Sequence, residues 1–244
     1  MEHLAFIMDG NRRFAKKNGL SLTRGYQKGM EQFLAMVALQ VKYGIKETSF
    51  WALSTDNYQK RSTDEKQTIF SLMKSFLELK ANEQFFKENG IFVRLVGDIE
   101  GMQKQEKKNS LGNYLFLTEM VSRMKKWNLA LGEIRFTVNI ALNYGGQDEV
   151  LHAVKDIAKE VKKGNLLLED IDEMCLKKHL YFNESKAPEV IVRSGDAPRL
   201  SGFMLWDCAY SEIYFTEKLW PELDEKDFLH ILNWFAAQKR NFGQ

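Results

Sequence analysis

The sequence is poor in the residues that interrupt or staple a chain. Three prolines in 244 residues and no low-complexity stretch leave no visible linker, so one domain over residues 1–244 is expected. The two cysteines, Cys175 and Cys208, lie far apart without metal-type spacing. That excludes a disulfide framework and fits free thiols in a reducing compartment. No apolar run approaches the roughly 18 residues of a membrane span. The first residues read as strand rather than signal peptide, so a cytoplasmic protein is expected. Charge of one sign is also missing. With 35 basic and 33 acidic residues the formal net charge is +2, which offers no general field for nucleic acid, and any anion site must be local. Neither G-x-G-x-x-G nor G-x-x-x-x-G-K-[ST] occurs, so neither a dinucleotide nor a nucleoside triphosphate is indicated.

What the chain does have begins at Leu4-Ala5-Phe6-Ile7-Met8-Asp9-Gly10-Asn11. A short apolar run reads as a buried strand and stops at a polar turn. The basic, helix-prone stretch Arg12-Arg13-Phe14-Ala15-Lys16-Lys17 follows. A strand, a tight turn and a helix N-terminus form an anion site, because the first helical N–H groups lack partners and the helix dipole adds positive charge. Arginines there favour a phosphate or diphosphate. Asp9 would face the same anion, and a carboxylate beside phosphate calls for a cation between them, hence Mg²⁺. The alternative stays open at this point: Asp9 as a plain helix cap and the arginines as a solvated face.

Periodicity predicts a short helix over 15–19, a helix over 25–43 and a buried strand over 48–53 that runs into Ser54-Thr55-Asp56-Asn57. One long helix is predicted over 64–87. Its broad apolar stripe fits either core packing or a cavity wall. Strands are predicted at 91–96, 133–142, 189–192 and 212–215, and helices at about 103–127, 146–163, 171–181, 203–210 and in the amphipathic stretch around Phe228–Phe235. Arg193, Arg199 and Ser201 surround a glycine turn and could clamp a second diphosphate. Strand–helix alternation predicts an α/β domain with a mostly parallel central sheet flanked by helices.

Met8-Asp9-Gly10-Asn11-Arg12-Arg13-Phe14-Ala15 resembles the opening signature of the cis-prenyltransferases, the undecaprenyl diphosphate synthase family. Ser54–Tyr58, Val96-Gly97-Asp98, Asn143–Gly146, Val192–Gly195, Arg199-Leu200-Ser201, Glu212–Thr216, Leu219-Trp220-Pro221 and Arg240–Gly243 resemble later blocks in the family's order. The resemblance covers nearly the whole chain.

It implies an undecaprenyl diphosphate synthase-like α/β fold with a hydrophobic tunnel. The implied reaction is sequential condensation of isopentenyl diphosphate onto an allylic diphosphate such as farnesyl diphosphate. The product would be a long cis-polyprenyl diphosphate such as the undecaprenyl carrier-lipid precursor for cell-wall synthesis. Asp9 and Asn57 are the implied catalytic residues, and Asp9 and Glu212 the implied Mg²⁺ carboxylates. Substrate contacts fall on Gly10, Asn11, Arg12, Arg13, Phe14, Tyr26, Ser54, Thr55, Asp56, Tyr58, Lys60, Arg193, Arg199, Leu200 and Ser201.

Several positions depart from the family. Arg12 stands for a glycine, and placed in the first helical turn it costs little. Phe14 and Tyr58 stand for tryptophans, Tyr26 for a histidine, Lys60 for an arginine, and Leu22 for an arginine whose place Arg24 could take. A homodimer is implied, with peripheral membrane contact at product release and a tail that closes over substrate. Small Ala52, with Phe50 two residues back, is implied as a ruler of product length. A non-catalytic partner subunit is the competing reading, and a phosphohydrolase using Asp9 ranks below it.

Overall fold

The structure, a computed structural model, describes residues 1–238; the closing block Arg240–Gly243 lies outside the described residues. Six strands form one sheet: β1 (His3–Ile7), β2 (Glu47–Ser54), β3 (Ile91–Val96), β4 (Phe136–Tyr144), β5 (Val190–Arg193) and β6 (Glu212–Phe215). Their spatial order is β3-β4-β2-β1-β5-β6, and every pairing is parallel. The continuous apolar runs in β1 and β5 follow from burial on both faces. Alternation along β1 sends Leu4 and Phe6 into a large core with Phe33, Phe50, Val138 and Trp220. Ala5 and Ile7 pack on the other face with Tyr144, Phe182 and Phe203. That second face becomes polar toward the strands' amino ends, where His3 Nε2 meets Ser49 Oγ at 2.8 Å and Asn139 Nδ2 donates to Ser49 Oγ at 2.9 Å.

The helices are α1 (Asn11–Lys17), α2 (Leu22–Tyr43), α3 (Thr55–Lys60), α4 (Thr63–Glu78), α5 (Lys80–Glu88), α6 (Ile99–Asn109), α7 (Leu111–Leu129), α8 (Gly146–Lys162), α9 (Glu173–His179) and α10 (Glu225–Ala236). Two predicted helices are each a pair. The stretch over 64–87 breaks at Leu79, which is extended (φ −72°, ψ 111°). Asn82 Nδ2 donates to the Phe76 carbonyl at 2.7 Å and takes the place of the missing backbone donor. The stretch over 103–127 breaks at extended Ser110, whose Oγ caps α7. The first helix starts at Asn11, four residues before its predicted start. Residues 203–210 hold turns and a short 3-10 segment at Asp207–Tyr210, because Ser201 and Met204 take positive φ and end any helix there.

The sheet also bulges. Trp51 pairs with Ala141 and Leu53 with Leu142, leaving Ala52 unpaired between them. This extra residue brings neighbours of β2 onto one surface. Among the described residues no helix is long and apolar enough to cross a membrane.

Candidate active site

Open parallel sheets bind ligands at the carboxyl ends of their strands, beside the point where the chain reverses direction across the sheet. Here that point lies at β1, with β2 on one side and β5 on the other. β1 ends into Asp9 and α1, β2 into Ser54 and α3, β4 into Tyr144 and α8, and β5 into Arg193. All these ends open on one cavity of about 940 Å³.

Asp9 sits between two guanidinium groups. Arg13 Nη2 lies 3.1 Å from Oδ1, and Arg193 Nη2 lies 3.0 Å from Oδ2. Arg193 is only 5% exposed. Its Nη1 donates to the Arg199 carbonyl at 2.6 Å and to Ser201 Oγ at 2.9 Å, so one fork ties β1, β5 and the following loop together. The backbone at Asp9 is held separately, its carbonyl accepting from Trp220 N–H (2.9 Å) and Ser194 Oγ (2.8 Å). Two glycines make room. Gly10 turns the chain at φ 114°, where a Cβ would sit 2.9 Å from Leu219, and Gly195 (φ 88°) would bring a Cβ to 2.5 Å from Arg13 Nη2. L-residues avoid this backbone region. Positive φ thus falls on Gly10, while Arg12 occupies the first turn of α1 without strain.

Deeper, the cavity is apolar. Phe33, Phe50 and Ala52 line it with Ile69, Leu72, Met73, Phe76 and Leu77 of α4 and Met124 of α7. The α4 stripe is therefore partly wall and partly core. Trp51 lines the cavity too, although alternation puts it on the sheet's second face, where it stacks on Phe203 at 5.1 Å.

Of the residues singled out in the sequence, Asp9, Gly10, Asn11, Arg12, Arg13, Tyr26, Ser54, Thr55, Asp56, Asn57, Arg193, Arg199 and Ser201 line this cavity. Phe14, Tyr58, Lys60, Leu200 and Glu212 do not. Phe14 lies half-buried along α1, and Leu200 packs into the second core. Lys60 is exposed and pairs with Asp56 at 2.7 Å. The cation that reaches the cavity from this segment is Arg61, one residue on. Its signal was the basic pair itself, in which either residue could have turned inward. Arg24 does not line the cavity; it lies 3.8 Å from Glu31 on the helix surface. Tyr26 lines the mouth, but its hydroxyl donates to Glu65.

Tyr58 is buried, and its hydroxyl donates to Glu106 at 2.6 Å. Burial raises its pKa above the usual phenol value, and the Glu106 bond raises it further. Tyr58→Phe should therefore cost about 1–3 kcal/mol in a denaturant titration, the cost of leaving buried Glu106 short of a donor. Kinetic constants per folded molecule should stay near wild type. A stable Tyr58→Phe protein with a raised substrate KM would restore Tyr58 to the site.

Glu212 opens β6 level with Val190, which pairs with Leu4. Asp9 lies beyond the other end of the strands. At about 3.3 Å per residue the two carboxylates are separated by more than roughly 10 Å along the sheet, so within one chain they cannot share an ion. Among the described residues no three His, Cys, Asp or Glu side chains converge as a metal cage. A single carboxylate that opens on the cavity, as Asp9 does, suits Mg²⁺, which commonly takes one or two carboxylates and fills its shell with substrate phosphate and water.

Five arginines (Arg12, Arg13, Arg61, Arg193 and Arg199) thus surround the mouth of an apolar cavity. This puts the chain in the class of α/β enzymes whose substrates carry an anionic head on an apolar tail. The family described as "Putative undecaprenyl diphosphate synthase" matches residues 7–243. The tritrans,polycis-undecaprenyl-diphosphate synthase (geranylgeranyl-diphosphate specific) of Picrophilus torridus is 34% identical, over 99% of this chain and 89% of its own. The farnesyl-diphosphate-specific ditrans,polycis-undecaprenyl-diphosphate synthase of Escherichia coli K12 is 33% identical over the same shares. The crystal structure of lavandulyl diphosphate synthase from Lavandula x intermedia, in complex with dimethylallyl diphosphate, superposes with a TM-score of 0.87. It is 30% identical, covering 100% of this chain and 98% of that one. The chain belongs to the undecaprenyl diphosphate synthase family, the cis-prenyltransferases, and is a transferase.

Proposed function

We propose that this single catalytic domain elongates cis-prenyl chains by repeated condensation of isopentenyl diphosphate onto an allylic diphosphate, with farnesyl diphosphate as primer. The observation that carries the reading is Asp9, paired with Arg13 and Arg193 at the mouth of a cavity whose deeper part is apolar. In each cycle the allylic carbon–oxygen bond breaks and a carbon–carbon bond forms to the terminal carbon of isopentenyl diphosphate. One proton leaves the isopentenyl unit, and inorganic diphosphate departs. Negative charge grows on the leaving group, where fixed donors act most strongly. Arg13, Arg61 and the first-turn amides of α1 face that group. Arg193, Arg199 and Ser201 hold the isopentenyl diphosphate so that its double bond meets the allylic carbon. Asn57, an amide and a poor base, orients the isopentenyl unit, and a diphosphate oxygen or Asp9 receives the proton. Mg²⁺ held at Asp9 would add charge neutralisation for the diphosphates.

The departures at Leu22, Tyr26, Lys60 and Asp196 would favour a non-catalytic partner subunit; of these, Lys60 keeps the charge of the family's arginine but loses its fork, and Arg61 at the mouth supplies one. A homodimer, cytoplasmic location, peripheral membrane contact at product release and the undecaprenyl carrier-lipid role belong to the same proposal. The test is transfer of label from isopentenyl diphosphate to a solvent-extractable product, dependent on farnesyl diphosphate and Mg²⁺. A protein that binds both substrates and forms no extractable product would overturn it.

The cavity sets the length of the product. Ala52, with only a methyl group, and Phe50 both line the apolar arm. Ala52→Leu adds three carbons to that wall. Overpacking costs roughly 1–3 kcal/mol in a filled core, but here the added carbons meet open space. The variant should melt near wild type, remain active and release shorter chains by mass analysis. An unchanged length distribution would mean that the growing chain takes another path.

A further inference from the structure

Tyr26 and Glu65 have a role that the reaction scheme leaves unassigned. Ser62 Oγ accepts from the Glu65 N–H at 3.2 Å, fixing the first turn of α4. Glu65 Oε1 accepts a hydrogen bond from the hydroxyl of Tyr26 on α2. The same oxygen lies 3.3 Å from Arg61 Nε, and both side chains of that pair are largely buried (17% and 11% exposed). The Arg61 guanidinium lies over the Tyr26 ring, 5.5 Å from its centroid. Arg61 is thus gripped at Nε and across its plane. Among the described residues its two Nη groups make no hydrogen bond, while the residue lines the cavity mouth. Burial and the Glu65 bond both push the Tyr26 phenol up, so it stays a donor.

A donor committed to Glu65 is not available to a diphosphate. We infer that Tyr26 and Glu65 are positioning residues that aim the free Nη fork of Arg61 at the diphosphate head of the allylic substrate. A fork fixed in advance loses less freedom when it binds a phosphate. The inference rests on the elongation reading for the identity of the substrate, but the clamp itself can be tested by binding alone.

Inorganic pyrophosphate, titrated by calorimetry into wild type, Tyr26→Phe, Arg61→Ala and the double variant, tests it, with thermal melts of each. Tyr26→Phe should weaken binding about three- to tenfold, the usual worth of one such hydrogen bond. In the Arg61→Ala background the same change should have almost no further effect, because both act through one group. In steady state Tyr26→Phe should raise the KM for farnesyl diphosphate while the KM for isopentenyl diphosphate stays constant. An undiminished effect of Tyr26→Phe without Arg61, equal rises in both KM values, or no effect would each overturn the clamp. If wild type binds pyrophosphate but does not elongate, the proposed function fails and the binding cycle still judges the clamp. If wild type does not bind pyrophosphate, both fail.

Discussion

Asp9→Ala should lower turnover on the order of 10²–10³-fold at saturating substrates, the scale seen when a fixed electrostatic group acting on the transition state is lost. The backbone at this turn does not depend on the side chain, since the Asp9 carbonyl keeps its bonds from Trp220 N–H and Ser194 Oγ. The change does leave nearly buried Arg193 without one of its acceptors. Asp9→Asn is the sharper variant. An amide oxygen can still accept from Arg193, so the melting temperature should stay close to wild type. The charge is gone, so turnover should fall as it does in Asp9→Ala. Either variant retaining near-normal Mg²⁺-dependent turnover would remove Asp9 from the chemistry.

Arg193→Ala should cost almost as much, for a different reason. This side chain meets Asp9, the Arg199 carbonyl and Ser201 at once. Breaking a fully buried ion pair by removing one partner costs roughly 3–5 kcal/mol; with Asp9 35% exposed the lower end applies, about 10²-fold in kcat/KM for isopentenyl diphosphate if it falls on catalysis. Arg193→Lys keeps the charge but loses the fork and should recover only part of the activity. Arg199 is exposed at the mouth, and its side chain has no partner among the described residues. Arg199→Ala should therefore raise the KM for isopentenyl diphosphate about tenfold, as expected for one charge-assisted bond, with kcat near wild type. Asp9→Ala combined with Arg193→Ala should be little worse than Asp9→Ala alone, as in units that act together. Additive losses, or equal KM changes for both substrates in Arg199→Ala, would contradict this division of roles.

The strand-end residues were legible in the sequence because each follows an uninterrupted apolar run, and such a run fixes where a buried strand stops. Asp9 after β1 and Arg193 at the end of β5 needed nothing more. Features set by tertiary packing were not legible. No proline or glycine marks the break at Leu79; a side-chain amide from Asn82 makes it tolerable. The bulge at Ala52 depends on the register of β4, which a single strand's pattern does not carry. Lys60 and Arg61 are adjacent cations at the end of a short helix, and only the pairing of one with exposed Asp56 and the other with largely buried Glu65 separates surface from site. Tyr58 has an aromatic partner's position in the family pattern, yet buried Glu106 claims its hydroxyl. Glu212 belongs to a matching block, but the sheet puts the first residue of that block at the far end from Asp9.

Chain length and double-bond geometry of the product test the central claim most directly. Farnesyl diphosphate and excess isopentenyl diphosphate should give, after dephosphorylation, a mass series rising in five-carbon steps to one dominant long member. Proton NMR of that member should assign every added double bond as cis. A product that stops after a single addition, or that carries trans double bonds in the added units, would contradict repeated cis elongation in this cavity.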